Sequence, residues 1–169
     1  MKKILFFNLA FIPLLLALSF GDPAPQFSAK NQDGKVVQLS DFLGKFVLIY
    51  FYPKDDTPGC TKEACSLRDQ YSEFKKLNVT ILGVSRQSEK SHLQFKLKHH
   101  LPFDLLSDTD GSLAKAFEVP MIPIIGLTKR QSILIGPEGK VLHYYTDVDP
   151  STHSKQVLED IKNASRSKT

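Results

Sequence analysis

The feature that most constrains the fold is a continuous apolar run, FVLIYFY, at positions 46 to 52. Its β-branched and aromatic residues favour a strand, and the lack of alternating polar residues indicates burial on both faces. A second run of this kind, VTILGVS, predicts another buried strand at positions 79 to 85. Between them, apolar residues spaced three and four apart from Ala64 to Leu77 predict an amphipathic helix.

The rest of the chain continues this alternation of strands and helices. In chain order we predict a hairpin turning at Asp33-Gly34, a polar helix ending at His100, a short strand at 103–106, a short helix at 112–119, an irregular segment at 120–130, a hairpin at 131–145 and a helix at 151–164. Ser151 is a candidate N-cap for the last helix. The pattern predicts an α/β fold with a central mixed sheet flanked by helices on both faces.

The length and charge of the chain limit the classes of function. At 169 residues it can form one domain with a sizeable core, and hardly two. The formal charge of +4 includes Lys2 and Lys3 near the N-terminus, and without them 20 basic residues stand against 18 acidic ones. Because the basic residues are scattered among acidic ones, we expect no nucleic-acid binding.

The first 21 residues, MKKILFFNLAFIPLLLALSFG, have a short positive start, an apolar stretch and then small residues. This is the order of parts in a secretory signal peptide. Cleavage is expected after Ser19 or Gly21, leaving a single domain at 22–169 that is exported, to the periplasm. An uncleaved membrane anchor is the alternative, but the apolar run is shorter than the ~20 residues that span a bilayer. We therefore expect no membrane span in the mature form.

The only two cysteines, Cys60 and Cys65, lie in the segment TPGCTKEAC. Thr57 followed by Pro58 indicates a helix start, with the threonine hydroxyl as N-cap and proline at the first helical position. Cys60 is then placed in the first turn, at the carboxyl end of the buried strand. Unpaired backbone N–H groups and the helix dipole favour an anion there. A thiol so placed ionises more easily, and the thiolate is the reactive form.

Two non-catalytic uses of the cysteine pair are less favoured. A structural disulfide is disfavoured because an unbroken helix holds residues five apart about 8 Å from each other, beyond the ~7 Å limit for a bridge. Forming it requires residues 60–66 to unwind, which the polar composition of TKEACS favours because this stretch contributes little apolar surface to the core. A metal site is disfavoured because the five histidines show no ligand spacing to the cysteines.

The segment FYPKDDTPGCTKEACSLRD resembles the active-site segment of the peroxiredoxins, specifically of the peroxiredoxin Q (bacterioferritin comigratory protein) subfamily. The family pattern P-x-x-x-T-x-x-C is met by Pro53, Thr57 and Cys60. The similarity extends over the chain after the leader, from APQFSAKNQDG to KRQSILIGPEGKV. It implies a thioredoxin-like fold with the peroxiredoxin insertions, which agrees with the predicted mixed sheet.

The resemblance also implies roles for five residues. Cys60 would be the peroxidatic cysteine, Cys65 the resolving cysteine and Arg130 the active-site arginine. Thr57 would orient the peroxide, and Pro53 would shield the site from water. Spacing alone does not single out Arg130.

The implied activity is the reduction of hydrogen peroxide and organic hydroperoxides. The Cys60 thiolate would become a sulfenic acid, which Cys65 would resolve as an intramolecular disulfide. Thioredoxin or another dithiol would then reduce the disulfide, and no metal, haem, flavin or other cofactor is implied. Family members are often monomers, so we expect a monomer, with a dimer through the apolar segment PMIPIIG at 120–126 as the alternative.

Two other functions stay open. One is a thiol–disulfide oxidoreductase acting on protein disulfides, whose signature is C-x-x-C. Here four residues separate the cysteines. The other is a non-catalytic exported binding module with an incidental disulfide, which leaves Thr57-Pro58 ahead of Cys60 unexplained. Consumption of hydrogen peroxide, compared with reduction of insulin, distinguishes the three functions.

Overall fold

Strands and helices alternate along the domain in this computed structural model, which describes residues 18–166. The strands are β1 (Ser28–Asn31), β2 (Val36–Gln38), β3 (Phe46–Phe51), β4 (Val79–Ser85), β5 (Asp104–Ser107), β6 (Met121–Ile122), β7 (Leu127–Thr128), β8 (Gln131–Ile135) and β9 (Val141–Tyr145). The helices are α1 (Pro58–Asp69), α2 (Tyr71–Lys76), α3 (Glu89–Lys98), α4 (Ser112–Ala116) and α5 (His153–Arg166), with a 3-10 turn at Leu39–Phe42. None of these helices is long and apolar enough to cross a membrane.

Seven of the strands form one mixed sheet in the order β2-β1-β5-β4-β3-β8-β9. β3, β4 and β5 run parallel to one another, as expected of strands joined through helices. β1 pairs antiparallel with β5, and β8 pairs antiparallel with β3. The predicted central mixed sheet is confirmed, with β3 and β4 as inner strands.

Strand β3 separates two hydrophobic cores. Leu48 and Tyr50 face a core completed by α1, α2, α3 and α5. Val47 and Ile49 face a second core, to which α4 and the 3-10 turn contribute. Successive side chains of a strand point to opposite faces, so a strand buried on both sides needs an unbroken apolar run. This explains the composition of residues 46–52 and confirms that helices cover both faces.

The helix predicted from Ala64 to Leu77 is interrupted at Gln70, which ends α1 and precedes α2. Gln70 has φ −98° and ψ 5°, outside the helical range. Leu67 and Phe74 are both fully buried on either side of the bend. Residues seven apart lie nearly on the same face of a continuous helix. Because the bend at Gln70 leaves Leu67 and Phe74 both in the core, the apolar residues have the spacing that a continuous helix would also show. The spacing therefore could not reveal the interruption.

The segment 120–130, predicted to be irregular, contains the antiparallel ribbon of β6 and β7. The side chains of Met121, Ile124 and Ile125 on this ribbon are exposed. The apolar character seen in the sequence is therefore not explained by burial within the described part of the chain. The monomer stays a prediction, with a dimer through this ribbon as its alternative.

The predicted N-cap of the last helix is wrong. α5 begins at His153, two residues after Ser151. The carbonyl of Thr152 accepts hydrogen bonds from the N–H groups of Lys155 and Gln156. The Ser151 hydroxyl instead donates to the carboxylate of Asp149. A serine hydroxyl bonds a neighbouring carboxylate as readily as a helix N–H, and the sequence alone does not decide between them.

Candidate active site

Cys60 lies where the sequence placed it, in the first turn of α1 beyond the carboxyl end of β3. Thr57 occupies the N-cap position with an extended backbone, and Pro58 is the first helical residue. The carbonyl of Thr57 accepts the N–H of Thr61 at 2.9 Å, which closes the first turn. The Cys60 side chain is only 1% exposed and packs against the core beneath α1.

The Thr57 hydroxyl does not cap the helix, contrary to prediction. Its Oγ1 donates to the backbone carbonyl of Lys54 at 3.1 Å and so stabilises the loop before the helix. The start of α1 carries no side-chain cap hydrogen bond. Pro53 is half-buried at the other end of this loop, directly after Tyr52. Among the hydrogen bonds of residues 18–166, none joins Thr57 to the Cys60 thiol.

Arg130 reaches Cys60 through the pairing of β8 with β3. In that pairing Gln131 lies opposite Phe51, so Arg130 lies beside the carboxyl end of β3. Its Nη2 donates to the sulfur of Cys60 at 3.3 Å. A Cβ atom on Gly59 would lie 3.2 Å from that same nitrogen, so the absence of a side chain there permits the close approach. The structure therefore brings these two candidate residues, 70 positions apart, into contact.

Glu63 completes the group around Arg130 and was missed by the sequence analysis. Its carboxylate accepts a hydrogen bond from Nη1 of Arg130, while Oε1 has no hydrogen-bond partner among the described residues. The side chain is fully buried. Burial raises the pKa of Glu63 to about 7, although the charge of Arg130 lowers it. One signal could have found it: Glu63 lies next to the buried stripe of Cys60, Ala64 and Leu67, at helical spacing.

Cys65 lies on another side of α1 and is partly exposed, and both cysteines are free thiols. On a regular helix, positions five apart point ~140° away from each other. The next residue, Ser66, shares a hydrogen bond of 2.7 Å with Ser154 of α5. The expectation that TKEACS contributes little to the core needs correction, because Glu63 and Ala64 are both fully buried. Unwinding this segment must therefore also separate Glu63 from Arg130.

The raised pKa of Glu63 predicts how stability depends on pH. The folded protein keeps the Glu63 proton up to about pH 7, whereas the unfolded chain loses it near the ordinary value of 4.5. Between these values the native state binds more protons, so the free energy of unfolding falls as pH rises. Relative to a Glu63→Gln variant, we expect the wild type to lose up to about 3 kcal/mol across this window. Chemical denaturation of both proteins at a series of pH values measures the difference.

The comparison with Glu63→Gln is needed because His153 makes the free energy of unfolding change with pH in the opposite direction. Burial lowers the pKa of His153 to about 4, against an ordinary value of 6.5. Between these values the unfolded state binds the extra proton, so this group makes stability rise with pH. Its contribution is present in both proteins and cancels in the difference. Parallel stability curves for wild type and Glu63→Gln would contradict the buried, proton-holding carboxyl.

The sequence is similar to those of a known protein family. Residues 20–144 match the AhpC/TSA family. Peroxiredoxin Bcp of Bacillus subtilis is 39% identical over 156 residues, covering 89% of this chain and 99% of that protein. The chloroplastic peroxiredoxin Q of Triticum aestivum is 42% identical over 147 residues, covering 86% of this chain and 68% of that protein.

Solved structures agree with the sequence comparison. A cysteine-to-serine mutant of Xylella fastidiosa PrxQ superposes with a TM-score of 0.81 and 30% identity over 89% of this chain and 99% of that one. The Xanthomonas campestris bacterioferritin comigratory protein superposes with a TM-score of 0.79 and 34% identity over 87% of this chain and 97% of that one. Similarity at this level confirms the predicted thioredoxin-like α/β architecture. The chain therefore belongs to the AhpC/TSA family, as a peroxiredoxin of the Bcp and peroxiredoxin Q type.

Proposed function

We propose that this peroxiredoxin reduces hydrogen peroxide and organic hydroperoxides through Cys60, with Cys65 as the resolving cysteine. The observation that carries the proposal is the hydrogen bond of 3.3 Å from the Arg130 guanidinium to the sulfur of Cys60. A guanidinium stays charged at all working pH values, so it favours the thiolate over the thiol. Cys60 also lies in the first turn of α1, where the helix dipole favours a negative charge.

In the first step, the Cys60 thiolate attacks one oxygen of the peroxide and the O–O bond breaks. The sulfur becomes a sulfenic acid, and the departing oxygen takes a proton and leaves as water or an alcohol. During this step negative charge moves from the sulfur to the departing oxygen. A hydrogen-bond donor that is already fixed close to both atoms lowers the barrier. Arg130 is such a donor because its planar fork has a second nitrogen held by Glu63. Glu63 is thus a positioning residue for Arg130.

Thr57 and Pro53 belong to the loop that leads from β3 into α1 and Cys60. The Thr57 hydroxyl donates its proton to the carbonyl of Lys54, so its lone pairs are directed elsewhere and can accept a hydrogen bond from a hydroperoxide. The uncapped N–H groups at the start of α1 can donate to the other peroxide oxygen. Pro53 has no N–H group, and in the proposed site its apolar ring would shield the thiol from water.

In the second step, the Cys65 thiol attacks the sulfenic sulfur, a disulfide forms and water leaves. The geometry of α1 requires residues 60–66 to open first, which breaks the contacts Glu63–Arg130 and Ser66–Ser154. The pause before opening leaves the sulfenic acid exposed to further oxidation. Hydrogen exchange around residues 60–66, compared between reduced and oxidised protein, measures this opening. Equal protection in both forms would exclude it.

The proposed reductant is thioredoxin or a similar dithiol. Its partial support is the family, in which thioredoxin dependence is typical. A small dithiol replaces it in the test of function, which is the consumption of hydrogen peroxide in the presence of dithiothreitol. We expect rapid consumption by the wild type, none above background by Cys60→Ser, and little reduction of insulin. Insulin reduction without peroxide consumption would instead support the thiol–disulfide oxidoreductase, and neither activity would support a binding module.

We further propose that residues 1–21 contain an export signal and that the mature domain acts in the periplasm. Most of this segment lies outside the described residues, and the family match begins at residue 20. The N–H of Gly21 donates to the carbonyl of Val141 at 2.8 Å, and Ala24 bonds Gly139 in the same way. Cleavage after Ser19 keeps both contacts, so we expect the mature chain to begin at Phe20. N-terminal sequencing of protein recovered from cells decides this, and an intact Met1 would refute export with cleavage.

A further inference from the structure

A buried polar cluster lies behind the loop that leads into α1, and the chemistry above does not use it. It consists of Tyr52 and Asp55 from this loop and of Ser91 and His92 from α3. Tyr52 and His92 are completely buried, and Asp55 is 7% exposed. A carboxyl group five residues before Cys60 and an imidazole from α3 are therefore both held away from water. Buried groups of this kind need partners for every polar atom.

The contacts of His92 determine which ring nitrogens carry protons. Nδ1 lies 3.1 and 3.0 Å from the two carboxylate oxygens of Asp55. Nε2 lies 3.2 Å from the backbone carbonyl oxygen of Leu106, which can only accept. The Tyr52 hydroxyl, 3.3 Å from Nδ1, donates its own proton to Asp55 at 2.7 Å. Both ring nitrogens therefore face acceptors, and a ring that donates from both is an imidazolium ion.

Two arrangements could have avoided this charge, and neither fits. A protonated Asp55 could donate to Nδ1, but although burial raises the pKa of Asp55, its hydrogen bonds with His92, Ser91 and Tyr52 hold it below its ordinary value. Asp55 also accepts from the Ser91 hydroxyl at 2.6 Å. The Ser85 hydroxyl lies 3.5 Å from Nε2, but it donates to Gln87 at 2.7 Å and presents only lone pairs to the ring.

We propose that His92 is a buried imidazolium ion and that its ion pair with Asp55 positions Cys60. Asp55 lies in the middle of the loop between β3 and α1, and the pair ties this loop to α3 and, through Leu106, to β5. The backbone N–H of Asp55 adds a bond of 3.3 Å to Gln87. The pair thus fixes the loop before α1 in place, including while residues 60–66 unwind. The kinetic part of this inference rests on the proposed function.

The charge on His92 is measured directly by nitrogen NMR of histidine-labelled wild-type protein near neutral pH. The His92 signals are assigned by their loss in a His92→Gln variant. We expect a proton on both ring nitrogens, with the two nitrogen resonances close together as in imidazolium. One nitrogen without a proton would overturn the ion pair. This result does not depend on any peroxidase activity.

The positioning role is measured as the rate constant for the first reaction of reduced protein with hydrogen peroxide. In Asp55→Asn the amide keeps the shape but removes the charge, so we expect His92 to lose one ring proton and the rate constant to fall about tenfold. Tyr52→Phe removes one bond to Asp55, keeps both charges and should give a smaller loss. Asp56→Asn is the matched control, because Asp56 is exposed and contacts Lys98 and His99 instead. It should change the rate constant less than about twofold.

Each outcome decides between structural and positioning roles. A folded Asp55→Asn protein with the wild-type rate constant would show that the pair serves stability alone and would overturn the positioning role. If Asp55→Asn does not fold, a wild-type rate constant in a folded His92→Gln protein, which lacks the other member of the pair, has the same meaning. A wild type that does not react with peroxide would refute the proposed function, while the NMR result on His92 would stand.

Discussion

A Cys65→Ser protein is expected to react once with peroxide and then stop. The first step needs only Cys60 and the groups around it, and Cys65 is partly exposed on another side of α1. We therefore expect the rate of sulfenic acid formation to be unchanged. Steady-state turnover with thioredoxin should fall on the order of a hundredfold, because a disulfide can no longer form for the dithiol to attack. Stopped-flow measurement of the first turnover and a coupled thioredoxin assay separate the two effects.

The same variant should also be more sensitive to excess peroxide. Without a resolving thiol, the Cys60 sulfenic acid persists and proceeds to sulfinic acid. Mass spectrometry after a peroxide titration should show this product at lower peroxide in Cys65→Ser than in wild type. Ser66→Ala keeps both thiols and removes only the bond to Ser154 that opposes opening, so this control should be no more sensitive to peroxide than the wild type. Full turnover of Cys65→Ser with thioredoxin would remove Cys65 from the mechanism.

Arg130→Lys is expected to lower the rate constant for the first peroxide reaction about tenfold or more, on the order of 1.4 kcal/mol of transition-state stabilisation. The guanidinium of Arg130 bonds Cys60 through one nitrogen and Glu63 through the other. A lysine ammonium is a single point charge on a flexible chain and cannot hold this fork geometry. The measurement is stopped-flow kinetics with reduced protein whose circular dichroism matches the wild type.

Arg166→Lys provides the matched control for this change. Arg166 lies at the exposed end of α5, so the same substitution there should leave the rate constant within about twofold of wild type. A folded Arg130→Lys protein that reacts as fast as this control would show that Arg130 is adjacent to the thiol but does not assist the reaction.

The sequence was sufficient for the buried inner strands and for the start of α1. Residues 46–52 and 79–85 are buried on both faces, so their uniform apolar character carries the information directly. Thr57 and Pro58 mark the first turn of α1 because proline is tolerated in that turn and not in the helix interior. Both signals are local, and each is visible in a few neighbouring residues.

The contacts around Cys60 depend on distant parts of the chain, and local patterns could not reveal them. Arg130 meets Cys60 because β8 pairs with β3 across the sheet, and resemblance alone suggested it. Glu63 looks like a solvent-facing residue in TKEACS, yet its partner Arg130 allows it to be buried. The Thr57 hydroxyl bonds a carbonyl of its own loop instead of the helix N–H groups. In each case the outcome depends on which partner tertiary packing brings within reach.

The central claim is that peroxide oxidises Cys60 and that Cys65 then captures the product. It is tested most directly by treating fully reduced protein with one equivalent of hydrogen peroxide, alkylating the remaining thiols and measuring the mass of the intact protein and its peptides. The account predicts that the wild type loses two hydrogens and resists alkylation, with a peptide joining Cys60 to Cys65, and that Cys65→Ser gains one oxygen at Cys60. Wild-type protein that keeps its mass and alkylates at both cysteines, or an oxygen found on Cys65 alone, would contradict it.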